Sequence, residues 1–143
     1  MTDQPAIADW LPHTPPMRML TTIIQCTETH IQCSSQIAPD NPLLWQALFP
    51  CSGGIELFSQ ASGILFAQRN AAQTPSGFHR RPGAVVQVKS FELGDVEIPV
   101  GAHLIIESRY TGGTQDAAMF EGKVLFEQHR VFKGTVMIAL FKD

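Results

Sequence analysis

From Asn41 to Gln68 the chain carries a single charged side chain, Glu56, and this uncharged stretch contains its strongest helical segment. The helix is expected from Ser52 or Gly53 to about Asn70, where the turn-forming run Ala71-Ala72-Gln73-Thr74-Pro75-Ser76-Gly77 closes it. Ser52 is a suitable N-cap. Ile55, Leu57, Phe58, Ala61, Ile64, Leu65 and Phe66 cover so much of the circumference that the helix should be buried nearly all round. Lipid is not what buries it, because Gln, Ser, Gly and Pro interrupt Pro42–Gln68, and a bilayer span takes ~20 predominantly apolar residues. Other parts of the same chain must therefore enclose it.

Those parts follow in sequence. Ala118, Phe120, Gly122, Val124 and Phe126 alternate with polar neighbours, as do Phe132, Gly134, Val136, Ile138 and Leu140, which is the signature of half-buried strands. Two further strands are expected at Val85–Leu93 and Ala102–Tyr110. Met17–Cys26 and Thr29–Ile37 form a hairpin ahead of the helix. The order is short helix, two strands, long helix, four strands. An α+β arrangement in which an antiparallel sheet curls round one apolar central helix satisfies both patterns, and this is the hotdog fold. A length of 143 residues suits one such domain over 1–143, and 44% hydrophobic residues suffice for its core. Its exposed strand edges make a dimer the expected state.

Glu56 stands in the first turn of the helix. Burial there favours its neutral form, as a general acid requires, whereas the positive end of the helix dipole favours its ionised form. A second reading makes it a capping-box glutamate with Gly53 as the cap. Ser59, Gln60 and Gly63 share its face, and Gln60 is placed to hold the carboxyl in one rotamer. Gly53 and Gly54 are expected either to leave backbone N–H groups bare for a substrate carbonyl, or to allow a tight approach turn.

Leu11-Pro12-His13-Thr14-Pro15-Pro16-Met17-Arg18-Met19-Leu20 resembles the Leu-Pro-His-Arg-x-Pro-Met/Phe-Leu-Leu segment of the 3-hydroxyacyl-acyl-carrier-protein dehydratases of FabA/FabZ type. Gly54-Ile55-Glu56-Leu57-Phe58-Ser59-Gln60-Ala61 resembles that family's Leu-Glu-x-x-x-Gln-Ala helix, which places Glu56 on its catalytic acid. Pro39–Phe49 and Pro99-Val100-Gly101 are similar to further family segments in the same order. Ala47-Leu48-Phe49-Pro50-Cys51 departs from the pattern, with Leu48 where the family's His-Phe-Pro-Gly motif has its catalytic histidine. Residues between that motif and the glutamate are also missing, so the chain is most similar to the divergent ApeP-like dehydratases associated with aryl polyene gene clusters. The resemblance implies elimination of water from a 3-hydroxyacyl thioester in fatty acid or polyene biosynthesis. It also implies no cofactor beyond the phosphopantetheine of an acyl carrier protein that presents the substrate.

Glu56 is then the expected acid, Gly53, Gly54 and Gln60 the expected substrate contacts, and a base must replace the lost histidine. His13, in an irregular Pro-rich segment, is the leading candidate over His30, His79, His103 and His129. Its competing reading is a hydrogen-bonded loop organiser. Cys51 could be an activated thiol before a helix N-terminus, or an inert one. The cluster His79-Arg80-Arg81, ahead of Lys89, could meet an acidic carrier protein, or could be a solvated loop. No metal-ligand or nucleotide-loop spacing appears. A net charge of −3 gives no general attraction for nucleic acid or anionic membrane. Three cysteines and an N-terminus without a secretory pattern fit a reduced cytoplasmic setting. Three roles stay open: a dehydratase; a non-catalytic partner of another hotdog dehydratase, in a heterodimer instead of a homodimer; and an acyl thioesterase.

Overall fold

The alternating segments close into one antiparallel sheet, and the apolar helix lies across it. The structure is a computed structural model that describes residues 7–11, 13, 15–73 and 81–141. A short helix α1 (Ile7–Trp10) precedes strands β1 (Thr22–Cys26) and β2 (His30–Gln36). A 3-10 turn (Cys51–Gly53) leads into α2 (Gly54–Gln73), and β3 (Gly83–Leu93), β4 (His103–Gly113), β5 (Ala117–Phe126) and β6 (His129–Leu140) complete the chain. The six strands run in the order β1-β2-β4-β5-β6-β3, each antiparallel to its neighbours. This is the hotdog fold expected from the sequence. No helix among the described residues is long and apolar enough to cross a membrane.

α2 packs on β2, β4, β5 and β6. Its Leu57, Phe58, Ala61, Ile64 and Leu65 are fully enclosed against Leu104, Ile106, Phe120, Val124, Phe132 and Val136 of the sheet. Phe58 lies 5.4 Å from Phe132 between ring centroids and Phe66 lies 5.6 Å from Phe120, within the range where tilted aromatic pairs attract. Gly122 lets the helix come this close, since a Cβ there would meet the Phe58 ring at 2.8 Å and collide with the Glu107 carbonyl. Where hydroxyls are buried they are paired: Ser62 donates to the Phe58 carbonyl and shares a 2.7 Å hydrogen bond with Ser108. At the far end of α2, Arg69 sits 3.5 Å over the Tyr110 ring and donates to the Glu28 carbonyl, while Asn70 donates to the Gln115 carbonyl.

Three expectations need correction. The first strand begins at Thr22, not Met17, because the Met17 carbonyl and the Met19 amide bond to the side chain of Gln60 and so cannot join a ladder. The helix is not enclosed all round, since Ile55, Glu56, Ser59 and Gly63 stay partly open. The third concerns β3, every residue of which is exposed. Register shifts between Val85 and Gln87 and between Val88 and Ser90 make Val86 and Lys89 extra residues opposite β6. Val85, Val88, Phe91 and Leu93 therefore pair with Ile138, Val136, Gly134 and Phe132 and share the helix-side face, where α2 does not cover them.

Candidate active site

The polar residues singled out in the sequence meet at the start of α2. Chain direction at this point is set by Pro50, whose carbonyl takes the Gly53 amide, and by the Gly54 amide, which bonds the Cys51 and Ser52 carbonyls. Both glycine amides are thus spent in the turn and are not bare, which corrects their expected role as substrate donors. The tight approach turn is the reading that holds. A Cβ on Gly53 would lie 2.6 Å from the Phe49 ring, and one on Gly54 would lie 2.7 Å from the Phe132 Cβ. Ser52 falls inside the 3-10 turn, one residue short of the α-helix.

One turn further on, Glu56 points to the open side of the helix with 36% of its side chain accessible. The enclosure expected for this carboxyl is therefore only partial, because the residues beside it on that side, Ile55 and Ser59, are themselves partly open. Its Oε1 accepts a 2.9 Å hydrogen bond from Gln60 Nε2 and lies 3.6 Å from Nε2 of His13, whose side chain is 33% accessible. The Gly53 amide goes to Pro50, so Glu56 is not part of a capping box. His13 Nδ1 is enclosed and has no hydrogen-bond partner among the described residues.

Gln60 connects these groups. It is 2% exposed, and its amide is fully used: Oε1 accepts from the Met19 amide at 3.0 Å, while Nε2 donates to the Met17 carbonyl and to Glu56. Its carboxamide takes one carbonyl and one N–H of an extended segment, as a neighbouring strand would. Ser35 donates to the Met19 carbonyl from the other side at 2.6 Å. A residue this enclosed and this fully bonded contacts the Glu56 carboxylate and the backbone following His13. Its two amide hydrogens and its carbonyl oxygen all have partners within the chain, which fixes the carboxamide beside Glu56. The sequence pointed to its bond with Glu56 through the i, i+4 spacing, but nothing local pointed to its bonds with Met17 and Met19.

Cys51 is not an activated thiol. Burial, reinforced by the Asp95 carboxylate, pushes its pKa above the ordinary range, and its Sγ donates to the Val96 carbonyl. Burial also pushes Cys26 up to about 11 and Cys33 up to about 12. Leu48, in the place of the motif histidine, pairs by isolated bridges with Trp45 and Pro99. Of the basic cluster, His79 and Arg80 lie outside the described residues. Arg81 is committed to the fold, bonding Asp116 at 2.9 Å and the carbonyls of Leu140 and Phe141.

Solved structures share the architecture. One chain of the dehydratase heterocomplex ApeI:P from Xenorhabdus doucetiae superposes with a TM-score of 0.87 at 18% identity, covering 99% of this chain and 94% of that one. The protein smu.793 from Streptococcus mutans, bound to acetyl CoA, gives 0.66 at 13% identity over 93% and 97% of the two chains. A hypothetical thioesterase with coenzyme A from Streptococcus pneumoniae gives 0.62 at 12% identity over 85% of each. No curated protein matches the sequence. The family model of the ApeP dehydratases matches residues 5–142, the stretch that holds both the Glu56 helix and the His13 segment, and the chain belongs to the ApeP-like dehydratase family.

Proposed function

We propose that this protein eliminates water from a 3-hydroxyacyl thioester carried on the phosphopantetheine of an acyl carrier protein, with Glu56 and His13 as the proton-handling pair, in a dimer with another hotdog dehydratase. The observation that carries the reading is the approach of His13 Nε2 to 3.6 Å from Glu56 Oε1 at an accessible point in the first turn of α2. Dehydration needs a group to take the C2 proton and one to protonate the departing hydroxyl, both within hydrogen-bond reach of the substrate. The dimer is supported by β3, an eleven-residue edge strand with a bare helix-side apolar row, and by the heterocomplex in which the structurally similar ApeI:P chain is found. A reduced cytoplasmic setting agrees with three free thiols.

A second reading, that the chain supports an active hotdog partner without turning substrate over itself, is favoured by Leu48 at the position of the motif histidine. One experiment separates them. The protein, alone and together with a second hotdog dehydratase chain, is incubated with a 3-hydroxyacyl carrier-protein thioester, and the acyl mass is followed for loss of one water beside Glu56→Gln. Water loss that vanishes in Glu56→Gln supports the first reading. Water loss only with the partner, and undiminished by Glu56→Gln, establishes the second.

A further inference from the structure

The sheet has a second face, turned away from α2, and that face carries an open trough of about 690 Å³. Strand alternation and register explain its shape. Ser108, Gly122, Gly134 and Phe91 lie side by side across β4, β5, β6 and β3. This rung is turned toward the helix, so on the outer face its backbone forms a floor. The rungs on either side point outward and form the walls. One is Arg109, Glu121, Thr135 and Ser90, with His30 of β2 at its end; the other is Glu107, Lys123, Lys133 and Glu92. Two residues of strand rise set the walls ~7 Å apart, and three strand spacings make the channel ~14 Å long from β4 to β3.

Three carboxylates and three permanent cations stand in these walls, and their pairing leaves a remainder. Glu121 is bonded by Arg109, Glu107 lies 3.8 Å from Lys123 Nζ, and Glu92 is taken at 3.3 Å by Arg130, which stands outside the trough. Lys133 is left without an ion pair among the described residues, directly opposite Lys123 across β5 and β6. Like charges in that position repel. Across the floor from Lys133, Thr135 and Ser90 stand opposite each other on β6 and β3, and neither hydroxyl is hydrogen-bonded among the described residues. Two neighbouring ammonium groups and two unspent hydroxyls thus face one another over a narrow channel, short of an acceptor.

We infer that this end of the trough binds a phosphate group, free or as an ester, between Lys133 and the hydroxyls of Thr135 and Ser90, with Lys123 as the second charge. A phosphate ester brings up to two negative charges and three strong acceptor oxygens, enough to meet these donors together and to relieve the lysine pair. Toward β4 the charges are matched, Arg109 with Glu121 and Lys123 with Glu107, so the rest of the channel offers polar walls to the remainder of an ester. The site does not depend on the dehydratase reading, whose residues lie on the other side of the sheet.

Amide NMR on 15N-labelled protein tests this, with inorganic phosphate and phosphopantetheine titrated separately against sodium chloride at matched ionic strength. Phosphate should give saturable shifts at Ser90, Lys133 and Thr135 that chloride does not produce. Lys133→Gln should weaken binding about tenfold or more, as expected for the loss of a charge-assisted contact. Ser90→Ala combined with Thr135→Val should weaken it about tenfold with the charge unchanged, through two lost hydroxyl contacts. Tighter binding of phosphopantetheine than of inorganic phosphate makes an ester the ligand, and equal or weaker binding makes it the free ion. Shifts that fail to saturate, shifts that chloride reproduces, or saturable binding that Lys133→Gln leaves intact overturn the inference. Lys133 and Ser90 are exposed and Thr135 is half-buried, so urea midpoints close to that of the wild type should accompany each variant.

Discussion

The two ends of α2 use polar side chains in opposite ways. At the Gln73 end, Arg69 stacks on Tyr110 and bonds Glu28, and Asn70 reaches the Gln115 carbonyl, so charge and amide are consumed in fastening the helix to the sheet. At the Gly54 end, Glu56 is steadied by Gln60 yet keeps one oxygen unengaged among the described residues, and His13 stands over it without closing the contact. A polar group that completes a fold has its bonding capacity filled from within. One kept for chemistry is held in place and left unfilled. Gln60 belongs to the first kind by its bonds and serves the second by its position.

Substitutions at the two ends test that contrast. Glu56→Gln should reduce water loss by roughly 10²–10⁴-fold, the usual span for a lost acid–base group, with the urea midpoint hardly moved. A collapse of stability in that variant would place Glu56 with the fastening residues. Between the ends, Phe58→Ala should lower stability by about 3–5 kcal/mol in urea unfolding, because its ring is fully enclosed between Phe132 and the Gly122 backbone. Gln60→Leu should show both characters: the Met17 carbonyl and Met19 amide lose their partner, at about 1–3 kcal/mol, and turnover falls as Glu56 is freed. If it lost stability alone, Gln60 would not position the carboxyl. Arg69→Ala should cost about 1 kcal/mol, the order of a cation–π contact, and leave turnover untouched. The smallest effect concerns the thiols. With Cys26 raised to about 11 and Cys33 to about 12, alkylation should be slow at neutral pH. In the unfolded chain they ionise first, so the stability they lend is present below an ordinary thiol value near 9 and is lost as pH climbs toward 12.

Much of this was legible in the sequence because periodicity reports burial on regular elements. Phe120, Gly122 and Val124 could be assigned to the inner face of a strand, and the order of helices and strands followed. Glu56 could be found because it is the only charge from Asn41 to Gln68. Where a side chain replaces backbone in a ladder, periodicity fails: the apolar Met17, Met19 and Leu20 read as strand, and no local rule shows a glutamine at position 60 occupying the place of the missing strand. The glycine amides misled for a related reason. A 3-10 turn before a helix consumes N–H groups that an abrupt helix start would expose. The partial opening of Glu56 depended on where α2 lies across the sheet, a tertiary property that helix composition does not carry.

β3 illustrates the same limit and has a consequence for how the protein is made. With two extra residues, Val85, Val86, Val88, Phe91 and Leu93 no longer alternate, yet four of them face one way. A ribosome releasing this chain by itself presents a long uncovered β-edge with an apolar row beside it, the form most open to mispairing with unrelated nascent strands. Recovery from expression should therefore depend less on temperature or inducer than on whether a strand that fits β3 is synthesised at the same time.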